Sequence, residues 1–278
     1  MDFIFATLPL SLIVLFAFGF GVIIGSFLNV YLYRFHTGKS LMGSSHCLSC
    51  GTPLKSFELV PLFSYVCLLG RCRTCRSYIP SRYFLVELLT GLLFVGVVLT
   101  AFDVITMFHT LVLVSILVVI AVYDIYHMII PDELVVATLL VVLSNQLYLL
   151  TIGTSAAAFF MNILAALGGS LFLMLLWRFS NGTWIGFGDV KLMVPLGLAV
   201  GYTSVFSLLV LSFWVGAAIG ILLLLLQKIR KRGQPHLRFL SQELTMKSAV
   251  PFAPFLIVGY FLVLFFEIDV VSLLNYVP

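Results

Sequence analysis

The sequence predicts an all-α integral membrane protein of about eight transmembrane helices, with one small subdomain folded outside the bilayer. Three observations carry that prediction. Of 278 residues, 62% are hydrophobic and only 9% charged, against about 25% charge in an ordinary soluble domain. The apolar residues gather into runs that meet or approach the roughly 20 residues needed to cross a bilayer. One polar stretch, residues 35–81, is long enough to fold by itself, and it holds four paired cysteines.

The apolar runs lie near 8–33, 83–101, 104–126, 133–151, 158–180, 190–203, 205–227 and 250–268. The sixth is short, and its join to the seventh at Gly201-Tyr202 leaves room only for a tight turn. Seven spans with a re-entrant sixth is therefore the alternative count. Met1-Asp2 lacks the basic start of a cleaved signal, so the first run is read as a retained span. Arginine and lysine are kept on the cytoplasmic side of bacterial membranes. All 15 fall within 34–82, 178–191 and 228–247, and eight spans put those three segments on one face. The connections near Asp103, Gly153 and Tyr202 carry none. The expected topology places both termini outside and the large loops in the cytoplasm. The chain then divides into a first helix (1–34), a four-cysteine loop (35–81) and a multi-helix membrane domain (82–278). Its basic side chains sit in short juxtamembrane loops rather than on a folded face, which excludes a nucleic-acid module.

Within the polar loop, Cys47-x2-Cys50 is followed after 21 residues by Cys72-x2-Cys75. Each pair puts two thiolates on one tight turn, and two such turns complete a tetrahedral zinc site of the ribbon or knuckle kind. Two disulfides are the rival arrangement, but the expected topology puts the loop in the reducing cytoplasm, where structural disulfides are rare. Four thiolates leave no open position for catalysis, so the ion's expected role is to fold a loop too small to hold a core. His46 is spare once four thiolates are counted. Cys67, alone in Val66-Cys67-Leu68-Leu69, reads as a small packed residue.

Upstream, Gly25-Ser26-Phe27-Leu28-Asn29-Val30 lies toward the end of the first span, with Arg34 just beyond. Gly25 and Ser26 read as helix-packing residues; Asn29 either glues two helices or lines a pocket. Glu87 lies about one turn into the second span, near Arg82. It is either half of a snorkelling ion pair or a ligand-binding carboxylate.

A carboxylate at the centre of a membrane helix costs about 2.5–3.5 kcal/mol, so aspartates beside hydrocarbon need a reason. Asp189 follows Trp184-Ile185-Gly186-Phe187-Gly188 and precedes Val190-Lys191. Gly186 and Gly188 leave the backbone open to a substrate strand or to solvent. The structural alternative is an aspartate that caps the next helix and pairs with Lys191. Asp124 ends the third span, where negative charge opposes the helix dipole, so the dipole does not account for it. Asp132 and Glu133, after Pro131, are accounted for as the cap and first turn of the fourth helix. His127 is near enough in sequence to contact Asp124. The third and fifth spans leave the membrane on one side, which brings Asp124 and Asp189 to a common depth. Two aspartates there can share one proton: the ionised member deprotonates a water while the protonated member polarises a scissile carbonyl. Two unrelated interfacial aspartates are the plain alternative.

Taken together, these segments resemble the bacterial type IV prepilin peptidases. The resemblance runs nearly end to end: GSFLNV at 25–30 with Arg34, the paired cysteines, GRCR at 70–73, SRYFLVELLTG at 81–91, Asp124 with Ile130-Pro131-Asp132, GFGDVK at 186–191 and VPFAPFL at 250–256. It implies a membrane aspartic protease of the Gly-x-Gly-Asp type with Asp124 and Asp189 as its catalytic residues, supported by Gly186, Gly188 and Lys191. Members of the family remove a short basic leader from prepilins or pseudopilins, after a glycine, at the cytoplasmic face. Many then methylate the new N-terminal residue with S-adenosylmethionine, an activity linked to the first span and the cysteine loop. Gly25, Asn29, Arg34 and Glu87 are the candidates for that second step, and Cys47, Cys50, Cys72 and Cys75 for the zinc. Glu58, Glu87, Asp132, Glu133 and Glu243 are available to attract a basic leader. Two departures stand out: Leu48 replaces the proline common after the first cysteine, and Leu59 replaces the asparagine of the usual acidic-Asn-Ile-Pro run. Membrane aspartates and glycine-broken helices also occur in transporters, but this chain shows no paired half-repeat. A zinc-loop scaffold without catalysis is the remaining class.

Overall fold

A computed structural model describes residues 9–37, 40, 43–233 and 251–275, with side chains of 226–233 and 273–275 excluded. Residue 8 at the start of the first run, Lys39, Arg238, Glu243, Lys247 and Val250 lie outside the described residues. Eight apolar helices stand where the eight runs were expected: α1 (Leu10–Arg34), α3 (Arg82–Thr100), α4 (Val104–His127), α5 (Asp132–Thr151), α6 (Ala156–Phe179), α7 (Phe187–Val200), α8 (Val205–Gly233) and α9 (Ala253–Phe266). A short α2 (Phe63–Cys67) lies in the polar loop after a 3-10 turn (Ser56–Leu59), and α10 (Val270–Asn275) follows α9.

Among the described residues six helices are long and apolar enough to cross a membrane: α1, α3, α4, α5, α6 and the Val205–Leu225 part of α8. Their outward faces carry large apolar side chains such as Phe16, Phe20, Leu140 and Leu164, all more than half exposed, as lipid contact requires. Helix α7 is short, as its run led one to expect, whereas α9 is shorter than its run of 250–268. Each has 14 residues, about 21 Å at 1.5 Å per residue, well short of a hydrocarbon core of about 30 Å. Gly201, with φ +80°, ends α7, and Glu267, in the left-handed region at φ +50°, ends α9. Helix α7 also begins three residues earlier than the apolar run, so Asp189 sits in its first turn rather than before it.

The chain forms two compact units, Met1–Val119 and Ile120–Pro278. In the first, α1 lies against α3 through small residues. A Cβ added at Gly21 would come within 2.9 Å of the Gly91 Cα, and one at Gly25 within 2.8 Å of the Glu87 Cα. That close approach is how membrane helices associate where lipid removes the hydrophobic drive between them. In the second unit, α7 is the central element and packs on α5, α6, α8 and α9. Its Leu192, Met193 and Leu196 are fully buried. Its far end is tied by polar groups. Gln146 Nε2 donates to the Leu198 carbonyl at 2.9 Å, and Asn162 Oδ1 accepts the Tyr202 N–H at 2.9 Å. A helix too short to span is thus fixed at its C-terminal end by side chains of two longer neighbours.

Candidate functional site

Both aspartates belong to the second unit, and both are buried, Asp124 at 5% exposure and Asp189 at 4%. Asp124 sits in the last turn of α4, which closes when the Met128 N–H bonds to the Asp124 carbonyl at 2.8 Å, with Met128 in the left-handed region. Asp189 is the third residue of α7 and reaches back to accept the Gly186 N–H at 3.0 Å on Oδ2. That satisfies one of the donors a helix N-terminus leaves open, so the capping alternative is half right. The Ala253 N–H at the start of α9 reaches the Asp124 carboxylate. The two carboxylates are near enough to act on one another electrostatically. Asp124 Oδ2 and Asp189 Oδ1 are buried with no hydrogen-bond partner. An unpaired carboxylate oxygen away from water is costly, which marks both atoms as aimed at something the protein itself does not supply.

The supporting residues act differently from the expectation. A Cβ at Gly188 would meet Ile130 at 3.0–3.1 Å, so the space there is filled by the chain's own Ile130 rather than left for a substrate strand. At Gly186 a Cβ would come 3.3 Å from Asp189 Oδ2. Lys191 does not pair with Asp189; its Nζ lies 2.7 Å from Asp132 Oδ1. Asp132 correspondingly makes no capping bond at the head of α5, whose N-cap is Pro131. His127 packs its ring on Tyr123 at 4.3 Å. The contact of Ile130 with Gly188 was not foreseen from the sequence, although its place just before Pro131, in the short connection from Asp124's helix α4 to α5, was the available signal.

In the first unit, Cys47, Cys50, Cys72 and Cys75 bring their sulfurs within 4.8 Å of one another. The Cys47 and Cys75 sulfurs are 3.8 Å apart, close to the edge of a tetrahedron with Zn–S bonds of about 2.3 Å and far from the roughly 2.05 Å of a disulfide. All four thiols are free. The two turns are built alike: Cys47 N–H bonds to Thr52 O and Cys72 N–H to Ser77 O, with bridges His46–Pro53 and Arg71–Tyr78 beside them. The residue after each second cysteine is left-handed, Gly51 at φ +71° and Arg76 at φ +61°. Backbone N–H groups of Cys50 and Ser49 pull the Cys47 thiol down to about 6, and the Ser77 hydroxyl lowers Cys75. Thiolates are what a metal binds, so the cluster fits the ion and can hold it. Cys67 is exposed rather than packed, because α2 ends there on the surface of the loop.

The same unit encloses a cavity of about 320 Å³ lined by α1, the polar loop and the first turns of α3. Of the four methyl-transfer candidates, Asn29, Arg34 and Glu87 line it, whereas Gly25 packs against α3 behind it. Asn29 Nδ2 donates to the Tyr83 carbonyl at 2.9 Å. Glu87 Oε2 accepts the Leu62 N–H at 2.8 Å, and the Ser26 hydroxyl reaches the same carboxylate. Arg34 donates to the Ser40 carbonyl at 2.7 Å. Ser26, read from the sequence as a helix-packing residue, completes the wall with Tyr65, Tyr83 and Phe84, for which the sequence suggested no role. A Gly21-x3-Gly25 pattern in the first span was the signal that α1 and α3 would lie together.

Two family models match this chain: "Bacterial Peptidase A24 N-terminal domain" over residues 20–101 and "Type IV leader peptidase family" over residues 111–221. Relatives described as "Prepilin leader peptidase/N-methyltransferase" cover most of it. That of Burkholderia pseudomallei (strain 1026b) is 30% identical over 94% of this chain and 88% of its own length. The Aeromonas hydrophila protein is 34% identical over 76% of this chain and 81% of its own. The one from Bacillus subtilis (strain 168) is 27% identical over 92% and 95%. No solved structure matches.

Proposed function

The chain belongs to the prepilin leader peptidase/N-methyltransferase family, and from that premise we propose that Asp124 and Asp189 are the dyad that cuts the leader. The enzyme is a multi-pass membrane endopeptidase acting on prepilins or pseudopilins, and it N-methylates the residue that cleavage exposes. The observation that carries the dyad is the pair of buried, partnerless oxygens, Asp124 Oδ2 and Asp189 Oδ1. A water between them loses a proton to the ionised carboxylate and attacks the scissile carbonyl. The protonated carboxyl donates to the carbonyl oxygen as negative charge grows on it, then passes its proton toward the leaving amine. No metal is needed for that step. Zinc at Cys47, Cys50, Cys72 and Cys75 holds the two loop turns together.

Alternating placement of all 15 basic residues supports a cytoplasmic-membrane orientation with the large loops and both aspartates toward the cytoplasm. A prepilin threads its apolar segment into the same bilayer with its short basic leader on that side. The methyl donor, S-adenosylmethionine, fits the cavity of the first unit by chemistry. Tyr65, Tyr83 and Phe84 offer ring faces to a purine, and Arg34 and Arg73 offer cations to an amino-acid carboxylate. Bound there, the donor supplies an electrophilic methyl group. The test is co-expression with a candidate prepilin followed by N-terminal sequencing and mass measurement of the product. Wild type yields a trimmed, methylated pilin. Asp124→Asn and Asp189→Asn each accumulate in the membrane and leave the leader attached; processing at the normal rate by either variant would sink the dyad.

A further inference from the structure

One acceptor atom in the cavity of the first unit, the Asn29 oxygen, is left without an explanation by donor binding alone, and a carboxylate lies beside it in the same cavity. Asn29 is 2% exposed. Its amide orientation is set by the Nδ2 bond to the Tyr83 carbonyl at 2.9 Å, so the oxygen is the atom that remains. That Oδ1 is buried and has no partner. Glu87 is 8% exposed on the neighbouring helix and lines the same cavity. Its Oε2 accepts the Leu62 N–H at 2.8 Å and the Ser26 hydroxyl reaches the carboxylate too, which leaves lone pairs of the two oxygens for a further donor. Leu62 holds a left-handed φ of +58°, which leucine seldom adopts, so the carboxylate anchors a turn that would otherwise relax. A buried amide oxygen and a buried carboxylate facing one space make an acceptor-only pair. What satisfies such a pair is a group with several N–H donors and a positive charge, that is, a primary ammonium.

The other ionisable groups around the cavity do not take this role. Arg34 of α1 and Arg73 of the loop add donors rather than acceptors, and His46 of the loop stands beside the cysteine cluster, next in sequence to Cys47. Glu58 of the 3-10 turn is engaged by the Lys55 N–H at 2.8 Å. Tyr33, Tyr65, Tyr78 and Tyr83 offer hydroxyls, and the thiols of Cys47 and Cys72 belong to the metal cluster.

We infer that Glu87 and Asn29 seat the newly exposed α-amino group of the cleaved substrate, and that Glu87 removes its proton for methyl transfer. This rests on the methyl-transfer reading above and deepens it. An α-ammonium has no lone pair to offer, so it must first deprotonate. Glu87 takes the proton while Asn29 Oδ1 holds a second N–H. The nitrogen lone pair then forms the new N–C bond as the C–S bond breaks, with its electrons passing to sulfur. The thioether leaves uncharged, the methylated ammonium carries the positive charge, and Glu87 returns its proton to solvent.

The experiment uses purified full-length protein and an apolar helical peptide carrying a free N-terminal amine, beside its N-acetylated twin. Binding of labelled S-adenosylmethionine is measured by equilibrium dialysis, peptide binding in the presence of S-adenosylhomocysteine, and the transfer rate from pH 6 to 9.5. Wild type should bind the donor and prefer the free amine about tenfold over the acetylated peptide, the scale of a hydrogen bond to a charged group. Glu87→Gln should keep donor binding and lose that preference. Its transfer should be about 100-fold slow near pH 6.5, the scale of one general base. The deficit should close as pH passes the amine's own pKa of about 7.7–8.0, where solvent has already removed the proton. Asn29→Ala, which keeps the base, should lose the preference with a wild-type pH profile. An equal deficit at every pH would assign Glu87 a structural role, and weakened donor binding would assign the ammonium to the donor; either result overturns the inference. Failure of the wild type to bind the donor at all overturns the methyl-transfer reading instead.

Discussion

The two units position their chemistry by different means. In the first, polar groups are held by a loop. Two cysteine turns, a bond from Leu62 to Glu87 and a bond from Asn29 to the Tyr83 carbonyl shape a cavity among side chains distant in sequence. In the second, the aspartates are held by helix ends, Asp124 in the last turn of α4 and Asp189 in the first turn of α7, with apolar packing behind them. Loop-held sites depend on whatever ties the loop. Helix-end sites depend on where a helix starts and stops. Changes in one unit should therefore leave the chemistry of the other largely intact.

The largest effect that tests this separation is loss of a carboxylate. Asp124→Asn or Asp189→Asn should lower cleavage by about 10³-fold or more, as expected when one of two cooperating acid–base groups is removed. Transfer of a methyl group to a pre-cleaved peptide should stay within about twofold of wild type. If both activities fall together, the two sites are not independent.

Removing the metal is the converse. A structural zinc site contributes folding energy to the segment it closes. Cys72→Ser, or a strong chelator, should release about one equivalent of zinc, a tetrathiolate site holding a single ion. Methylation should then fall about tenfold or further, because the turns lining the cavity lose their tie. Cleavage should continue, read by the mobility shift of the pilin. Loss of cleavage at the same chelator concentration would break the comparison.

A smaller effect probes how helix ends position Asp189. Gly188→Ala puts a Cβ at 3.0 Å from Ile130, tighter than side chains normally pack, and must push the start of α7 outward. Misplacement by a fraction of an ångström should cost cleavage about tenfold, with the protein still inserted and methylation unchanged. Ile130→Ala in the same protein removes two of the three close atoms and should restore part of the rate.

How far the sequence reveals these sites follows from the range over which each signal acts. Apolar length is a local property, and it located all eight helices. Cysteine spacing is also local, and it located the four sulfurs that gather within reach of one ion. The two aspartates stood out because charge beside hydrocarbon is conspicuous, and both are buried at helix ends. The shortness of α7 was legible in its short apolar run before Gly201-Tyr202; that α9 stops where Glu267 turns left-handed was not. Nor could the sequence show that Gly188 faces Ile130, that Asn29 and Glu87 share a cavity, or that Lys191 chooses Asp132. Each of these is a pairing across many residues, decided by which helix faces meet.

The Lys191–Asp132 pair sets the smallest expected effect and the finest test of the helix-end rule. It joins the second residue after Asp189 to the first residue of α5, 59 positions apart. Its side chains are 36% and 70% exposed, so solvent screens the attraction, and exposed pairs contribute about 0–1 kcal/mol. If Lys191 only tethers α7 to the head of α5, Lys191→Met and Asp132→Asn should each slow cleavage by about fivefold at most, the rate equivalent of that energy. The two changes together should do no more than either alone, since a broken tether cannot be broken twice. Raising the salt concentration should shrink the difference from wild type, because screening already weakens the pair in the intact enzyme. A Lys191→Met effect much larger than that of Asp132→Asn, and additive with it, would mean that the ammonium touches the substrate. Lys191 would then act in the reaction itself.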